Sequence, residues 1–137
     1  MSFLVDTNVV SELRKGARAN PRVVAWFGDL ADEEVYLSVL TVGEIRNGIE
    51  RIRCRDRRAA TALDRWLRTL VREYEDRLLP VDRAVAEQWG RLNVRDPLPV
   101  IDGLLAATAA VHGLVLATRN VKDLERTQVP LFDPFRS

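Results

Sequence analysis

Four places in this chain carry oxygen ligands beside short apolar runs. Asp6 follows Phe3-Leu4-Val5, and Glu44 comes shortly after Val35-Tyr36-Leu37-Ser38. Asp102 opens an alanine-rich apolar stretch, and Thr118 and Asn120 follow Leu114-Val115-Leu116-Ala117. Short apolar runs without alternation read as buried strands of a parallel sheet. In open sheets of that kind, sites form beyond the carboxyl ends of the strands. Three carboxylates and an amide gathered at one such edge repel each other unless a cation is present. A hard divalent ion, Mg²⁺ or Mn²⁺, takes oxygen ligands and relieves that repulsion. Each residue alone also has a local structural role open to it. Asp6 suits a helix N-cap, and Glu44, three residues after Thr41, suits a capping box. Asp102 suits a helix dipole, and Thr118-Arg119-Asn120 suits a polar turn. The combination, not any single member, points to metal-assisted chemistry.

The composition removes most rival chemistries. Cys54 is the only cysteine and His112 the only histidine. An internal disulfide is therefore impossible, and a zinc site built from Cys and His has too few ligands. A Ser-His-Asp or Cys-His arrangement would have to run through His112. That residue precedes Gly113 at the end of an apolar stretch, where it reads as a helix C-terminal residue facing the dipole. The chain of 137 residues, 47% hydrophobic and 30% charged, suits one soluble domain covering residues 1–137. No apolar run approaches the ~20 residues that span a bilayer, so no membrane partner is expected. An acid arrives at position 6 without a basic leader, so the expected location is the cytoplasm. Net charge is +1, yet five arginines fall within the eight residues 51–58. A local patch of this kind can hold phosphate although the whole chain is near neutral.

The elements that must position the acids follow from the apolar periodicity. Residues 3–5, 35–38, 78–81, 114–117 and 130–132 read as strands. Helices are predicted over 7–14, from Pro21 through Leu30, from Thr41 through Ile52, over 57–74, over 83–95 and over 101–112. The helix from Thr41 shows Val42, Ile45, Ile49 and Ile52 at helical spacing, and residues 57–74 show a stripe from Leu63 to Tyr74. Asp82 is expected to cap the helix after it. Strands alternating with helices predict an α/β domain with a mainly parallel central sheet and helices on both faces.

Four blocks, in order and in register, resemble the PIN-domain ribonuclease toxins of the VapC type. They are Phe-Leu-Val-Asp6-Thr7-Asn8-Val-Val-Ser11-Glu12, Leu37-Ser38-Val-Leu-Thr41-Val-Gly-Glu44-Ile-Arg46-Asn47-Gly48-Ile49, Ile101-Asp102-Gly103-Leu-Leu-Ala-Ala-Thr108-Ala, and Leu-Ala-Thr118-Arg119-Asn120-Val-Lys122-Asp123-Leu124. The ending Pro-Leu-Phe132-Asp-Pro-Phe135 is similar to the FitB-like branch. The resemblance implies a three-layer α/β/α PIN-like domain and Mg²⁺- or Mn²⁺-dependent hydrolysis of RNA phosphodiester bonds. It implies Asp6, Glu44 and Asp102 as metal and catalytic acids, with Asn120 where many relatives carry aspartate. An amide oxygen can still ligate but brings no charge. Asp123, a possible compensating acid, is expected to face outward.

The resemblance also implies a homodimer, and a co-encoded antitoxin. That partner would be a small DNA-binding protein with a disordered C-terminal segment, so DNA would be met only through it. The segment is expected between the helices starting at Thr7 and Thr41, against Val9, Leu13 and Ile49. Thr7, Thr118 and Arg46 are expected to position ligands or substrate. The dimer surface is expected near Trp66, Tyr74 and Trp89. A haloacid-dehalogenase-like reading with Asp6 as nucleophile fits less well, because residue 8 is Asn and lysine occurs only at 15 and 122. A PIN fold that has lost catalysis and acts as a binding module with its antitoxin is the other alternative, and Asn120 is its support.

Overall fold

The computed structural model describes residues 1–136. Five strands, β1 (Phe3–Val5), β2 (Val35–Ser38), β3 (Leu78–Leu79), β4 (Val115–Ala117) and β5 (Leu131–Phe132), form one sheet in the order β3-β2-β1-β4-β5. Every neighbouring pair is parallel, so the sheet is parallel throughout rather than mainly so. Seven helices surround it: α1 (Thr7–Leu13), α2 (Pro21–Gly28), α3 (Val39–Arg53), α4 (Arg57–Glu73), α5 (Arg83–Leu92), α6 (Val100–His112) and the single turn α7 (Val121–Leu124).

Strand side chains alternate between two cores, as the two-residue period of a strand requires. Phe3, Val5, Val35, Leu37 and Ala117 face a cluster with Val9, Val10 and Val23, against which Trp66 and Leu70 of α4 pack. Leu4 and Leu116 face the other side, with Leu105, Ala106 and Ala109 of α6 and Leu124. The result is the expected three-layer α/β/α arrangement. A third cluster, centred on Ile49, Ala60 and Leu67, joins α3 to α4. Phe3, Trp26 and Phe132 close one end of the first core through ring contacts of 5.2 to 5.9 Å, a favourable spacing for aromatic pairs.

Helix starts are set by short polar side chains. Asn20 accepts from Arg22 N at 2.9 Å ahead of Pro21, Asp56 accepts from Ala59 N at 3.0 Å, and Asp82 caps α5 as expected, at 3.0 Å from Val85 N. At the other end, α6 stops where Gly113 adopts φ 64°, a conformation that favours glycine. One sequence expectation is corrected here. The helix after β2 starts at Val39, not Thr41, because Ser38 Oγ accepts from Leu40 N at 3.0 Å. Glu44 therefore lies in the second turn and does not close a capping box with Thr41. Trp66, Tyr74 and Trp89, the expected dimer surface, are each half-buried within the chain. The first two pack on the core, and the edge of Trp89 lies so near Gly103 that a Cβ there would sit 3.0 Å from its Cδ1 and Nε1.

Arg77, just before β3, ties this strand to the rest. Its guanidinium donates to the carbonyls of Asp32, Val35 (2.8 Å) and Glu73 (3.2 Å), and it stacks over Tyr74 with 4.5 Å to the ring centroid. Charge-assisted hydrogen bonds of this sort are the stronger ones. Arg77→Ala should lower unfolding free energy by about 2 kcal/mol in urea titration. Arg77→Lys should recover only part, because an ammonium lacks the planar fork. A loss below about 0.5 kcal/mol would show that the turn holds without it.

Candidate active site

The site forms at the crevice where the sheet order reverses, with β2 on one side of β1 and β4 on the other. Asp6 leaves β1 with its N–H donating to the Ala117 carbonyl at 2.9 Å. It also caps α1, so the same residue serves the local and the chemical role. Its carboxylate is 5% exposed and accepts from Thr7 N at 2.7 Å, Thr118 Oγ1 at 2.8 Å and Asn8 Nδ2 at 3.3 Å. Thr118, fully buried at the end of β4, is fixed in turn by its own N–H on the Phe132 carbonyl.

Glu44 approaches from α3. Its Oε1 accepts from Thr7 Oγ1 at 2.5 Å, and Thr41 Oγ1 lies 3.3 Å from the same hydroxyl. Thr7 thus bridges two acids, by its N–H to Asp6 and by its hydroxyl to Glu44. Asp102 enters from the first turn of α6, as expected. Burial pushes the Asp6 carboxyl up, and the charges of Asp102 and Glu44 push it further against the pull of its hydrogen bonds. Burial also raises Asp102, and Glu44 and Asp123 add to it. The three acids singled out in the sequence therefore share one electrostatic field.

Asn120 stands beside them, its N–H donating to Thr118 Oγ1 at 3.0 Å. Asp123 is exposed, as expected, although its charge adds to the raising of Asp102. One residue departs from expectation. Arg46 is held by Asp64 at 2.8 Å and Glu50 at 3.3 Å, and lines a cleft between α3 and α4 with Val42, Leu67 and Val71. Its donors are committed there, away from the acids. The position that sequence reasoning passed over is Asn8. It donates to Asp6, and its Oδ1 accepts from Arg119 N at 3.2 Å, joining the two chain ends of the crevice. Its place two residues after Asp6 was the available signal.

The donor set is oxygen only, carries excess negative charge and raises its own carboxyl pKa values, which together fit a hard divalent cation. Among the described residues, no three acids, cysteines or histidines already stand close enough to enclose an ion. Glu44 is held by the Thr7 hydroxyl. The raised carboxyls have a sign that can be tested. A folded-state pKa above the unfolded value means that the native protein binds more protons, so stability falls as pH rises through that range. Asp102→Asn should therefore unfold later than wild type at pH 7 in EDTA, and the gap should narrow as the pH approaches 3.8, the ordinary Asp value. A pH-independent gap would mean that Asp102 feels no such field.

The comparisons agree with this geometry. The PIN domain family matches residues 3–129. The chain is 33% identical to Toxin FitB of Neisseria gonorrhoeae, over 97% of this chain and 98% of that one. It is 31% identical to a VapC ribonuclease of Sinorhizobium fredii, over 97% of each. The solved structure of FitAB bound to a DNA fragment superposes with a TM-score of 0.90 at 31% identity, covering 98% of this chain and 96% of that one. With its parallel sheet, its acids at the crevice and these relatives, the chain belongs to the PIN domain family.

Proposed function

We propose that this protein is a divalent-metal-dependent endoribonuclease and the toxin of a toxin–antitoxin pair. The observation that carries the reading is the convergence of Asp6, Glu44 and Asp102 on one field at the sheet crevice. The names of its relatives, a toxin and a VapC ribonuclease, support it. Asp6 and Asp102 would hold Mg²⁺ or Mn²⁺, with Glu44 binding directly or through water and Asn120 offering a neutral oxygen. When bound there, such an ion neutralises phosphate charge and lowers the pKa of a water for attack on phosphorus.

The chain's own residues supply the positioning. Thr118, Asn8 and the Thr7 N–H hold Asp6 in one rotamer, so its oxygens face the crevice without searching. Thr7 restrains Glu44 through one hydrogen bond. No histidine is required, consistent with His112 lying at the far end of α6.

A DNA-binding antitoxin is proposed as the partner, because similar solved structures include FitAB bound to a DNA fragment and, at 25% identity, a toxin–antitoxin complex from Klebsiella pneumoniae. DNA contact would then be indirect. Of the apolar contacts expected for the inhibiting segment, Val9 is wholly buried and Leu13 is half-buried, while Ile49, though only 2% exposed, borders a cleft of about 160 Å³ between α1 and α3 together with Thr7, Ser11, Arg14, Glu44 and Gly48. A basic side chain entering it would meet Glu44 first. A homodimer in the cytoplasm completes the proposal, and no described helix is long and apolar enough to cross a membrane.

Purified protein should cleave RNA with Mg²⁺ or Mn²⁺ and stop in EDTA. Asp102→Asn should lower kcat about 100-fold or more, as loss of a charged ligand weakens transition-state stabilisation. Asp6→Asn should lower it similarly, at some cost in order, since its new amide N–H₂ would face the Asn8 donor. Cleavage at the wild-type rate by either variant would sink the mechanism. An antitoxin C-terminal peptide should stop cleavage, and Gly48→Trp, which fills the cleft, should weaken its hold. Undiminished inhibition of that variant would move the segment elsewhere.

A further inference from the structure

We propose that the cleft lined by Arg119, Lys122 and Arg136, beside the acid cluster, holds the phosphate backbone of the RNA strand, with Arg119 as a positioning residue. The inference rests on the ribonuclease reading. The cleft measures about 370 Å³ and is completed by Val121, Glu125 and Asp133. It adjoins the site through the backbone. Arg119 lies between Thr118, which holds Asp6, and Asn120, and its own N–H donates to Asn8.

Arg119 is built into place while its donors stay free. The guanidinium lies 3.7 Å above the Phe135 ring, and Phe135 is buried. Glu12 stands 3.9 Å from its Nη2, too far for a hydrogen bond, and that carboxylate already accepts from Lys15 and from Asn20 N. Stacking on an aromatic face leaves the N–H edges of a guanidinium open to an anion, and fixing the group beforehand reduces the entropy lost on contact. The side chain is 56% exposed, so the strand can reach it.

Neither of the other two cations donates a side-chain hydrogen bond among the described residues. Among the described residues Lys122 makes no ion pair, and Arg136 Nε lies 3.7 Å from Asp133, beyond hydrogen-bond reach. Asp133 spends its other oxygen on Phe135 N at 2.9 Å. The contrast with Arg46 is direct, because Arg46 has its donors on Asp64 and Glu50.

Electrostatics make such a cleft necessary. Asp6, Glu44, Asp102 and Asp123 repel an approaching polyanion until an ion sits among them. Cations on the flank offset that repulsion and keep the strand in register. A phosphate backbone fits better than an acidic peptide, because its charge recurs at every nucleotide and can occupy the flank and the centre at once.

The test uses the full chain and a fluorescent single-stranded RNA oligonucleotide, first in EDTA so that nothing is cut. Lys122→Ala/Arg136→Ala, both exposed positions, should bind the RNA roughly tenfold or more weakly. Its salt dependence should be shallower by about 1.4 in log–log slope, at about 0.7 per lost single-strand phosphate contact. Arg119→Ala should weaken binding further, and Arg119→Lys should recover only part. Arg83→Ala, an exposed charge on α5, serves as the control and should change nothing. With Mg²⁺ the double variant should raise KM more than it lowers kcat. Equal RNA affinity and slope for wild type and double variant would overturn the proposal. So would unchanged RNA binding together with lost binding of an acidic peptide, which would give the cleft to a protein partner. If wild type binds RNA through these residues in EDTA but never cleaves it, the cleft stands and the ribonuclease reading falls.

Discussion

The carboxylate of Asp6, taken out of water between β1 and β4, is the constraint around which this molecule is arranged. A buried carboxylate is costly unless hydrogen-bonded. Here the first helix supplies two donors and the residue after β4 a third. The Thr7 N–H belongs to α1, Asn8 sits one residue further on, and Thr118 comes from beyond β4, 112 residues away. One anion thus joins the first and last thirds of the chain. The neighbouring acids then raise it further, so the fold stores a repulsion that hydrogen bonds only partly offset.

Much of this was legible in the sequence because it is local. Strands without alternation, caps such as Asp56 and Asp82, and the acid after each run are decided by residues a few positions apart. Asp6 and Glu44 could be named because they follow strands of an open sheet, and Asp102 because it opens a helix in a block that resembles the family's third-acid helix. The errors arise in two ways: the helix start was a local choice, made by the Ser38 hydroxyl accepting from Leu40 N, and the others come from long-range packing. Arg46 looked free until α4 folded back antiparallel and brought Asp64 to it. Val9 looked available until the first core enclosed it.

Asp123 and Arg119 show what a one-dimensional reading leaves out. Arg119 lies in the turn after β4 and Asp123 in the single turn of α7, both too short for a two-residue or 3.6-residue period to show. Asp123 acts on Asp102 across the crevice, and Arg119 stacks on Phe135 sixteen residues on. This short segment therefore presents an acid on one side and a cation on the other. Asn120 between them is neutral, so the crevice is less crowded by charge than an aspartate there would make it.

The contact between Gly103 and Trp89 carries a consequence for how this protein can drift. Any side chain at 103 would begin 3.0 Å from the indole, whose buried Nε1 has no hydrogen-bond partner among the described residues to compensate a shift. The helix that would have to retreat is the one carrying Asp102 in its first turn. Asp102 is half-buried and its side chain makes no hydrogen bond among the described residues, so asparagine fits there without disturbing the packing, whereas any side chain at 103 meets the indole. Neighbouring positions on one helix turn thus have opposite tolerances.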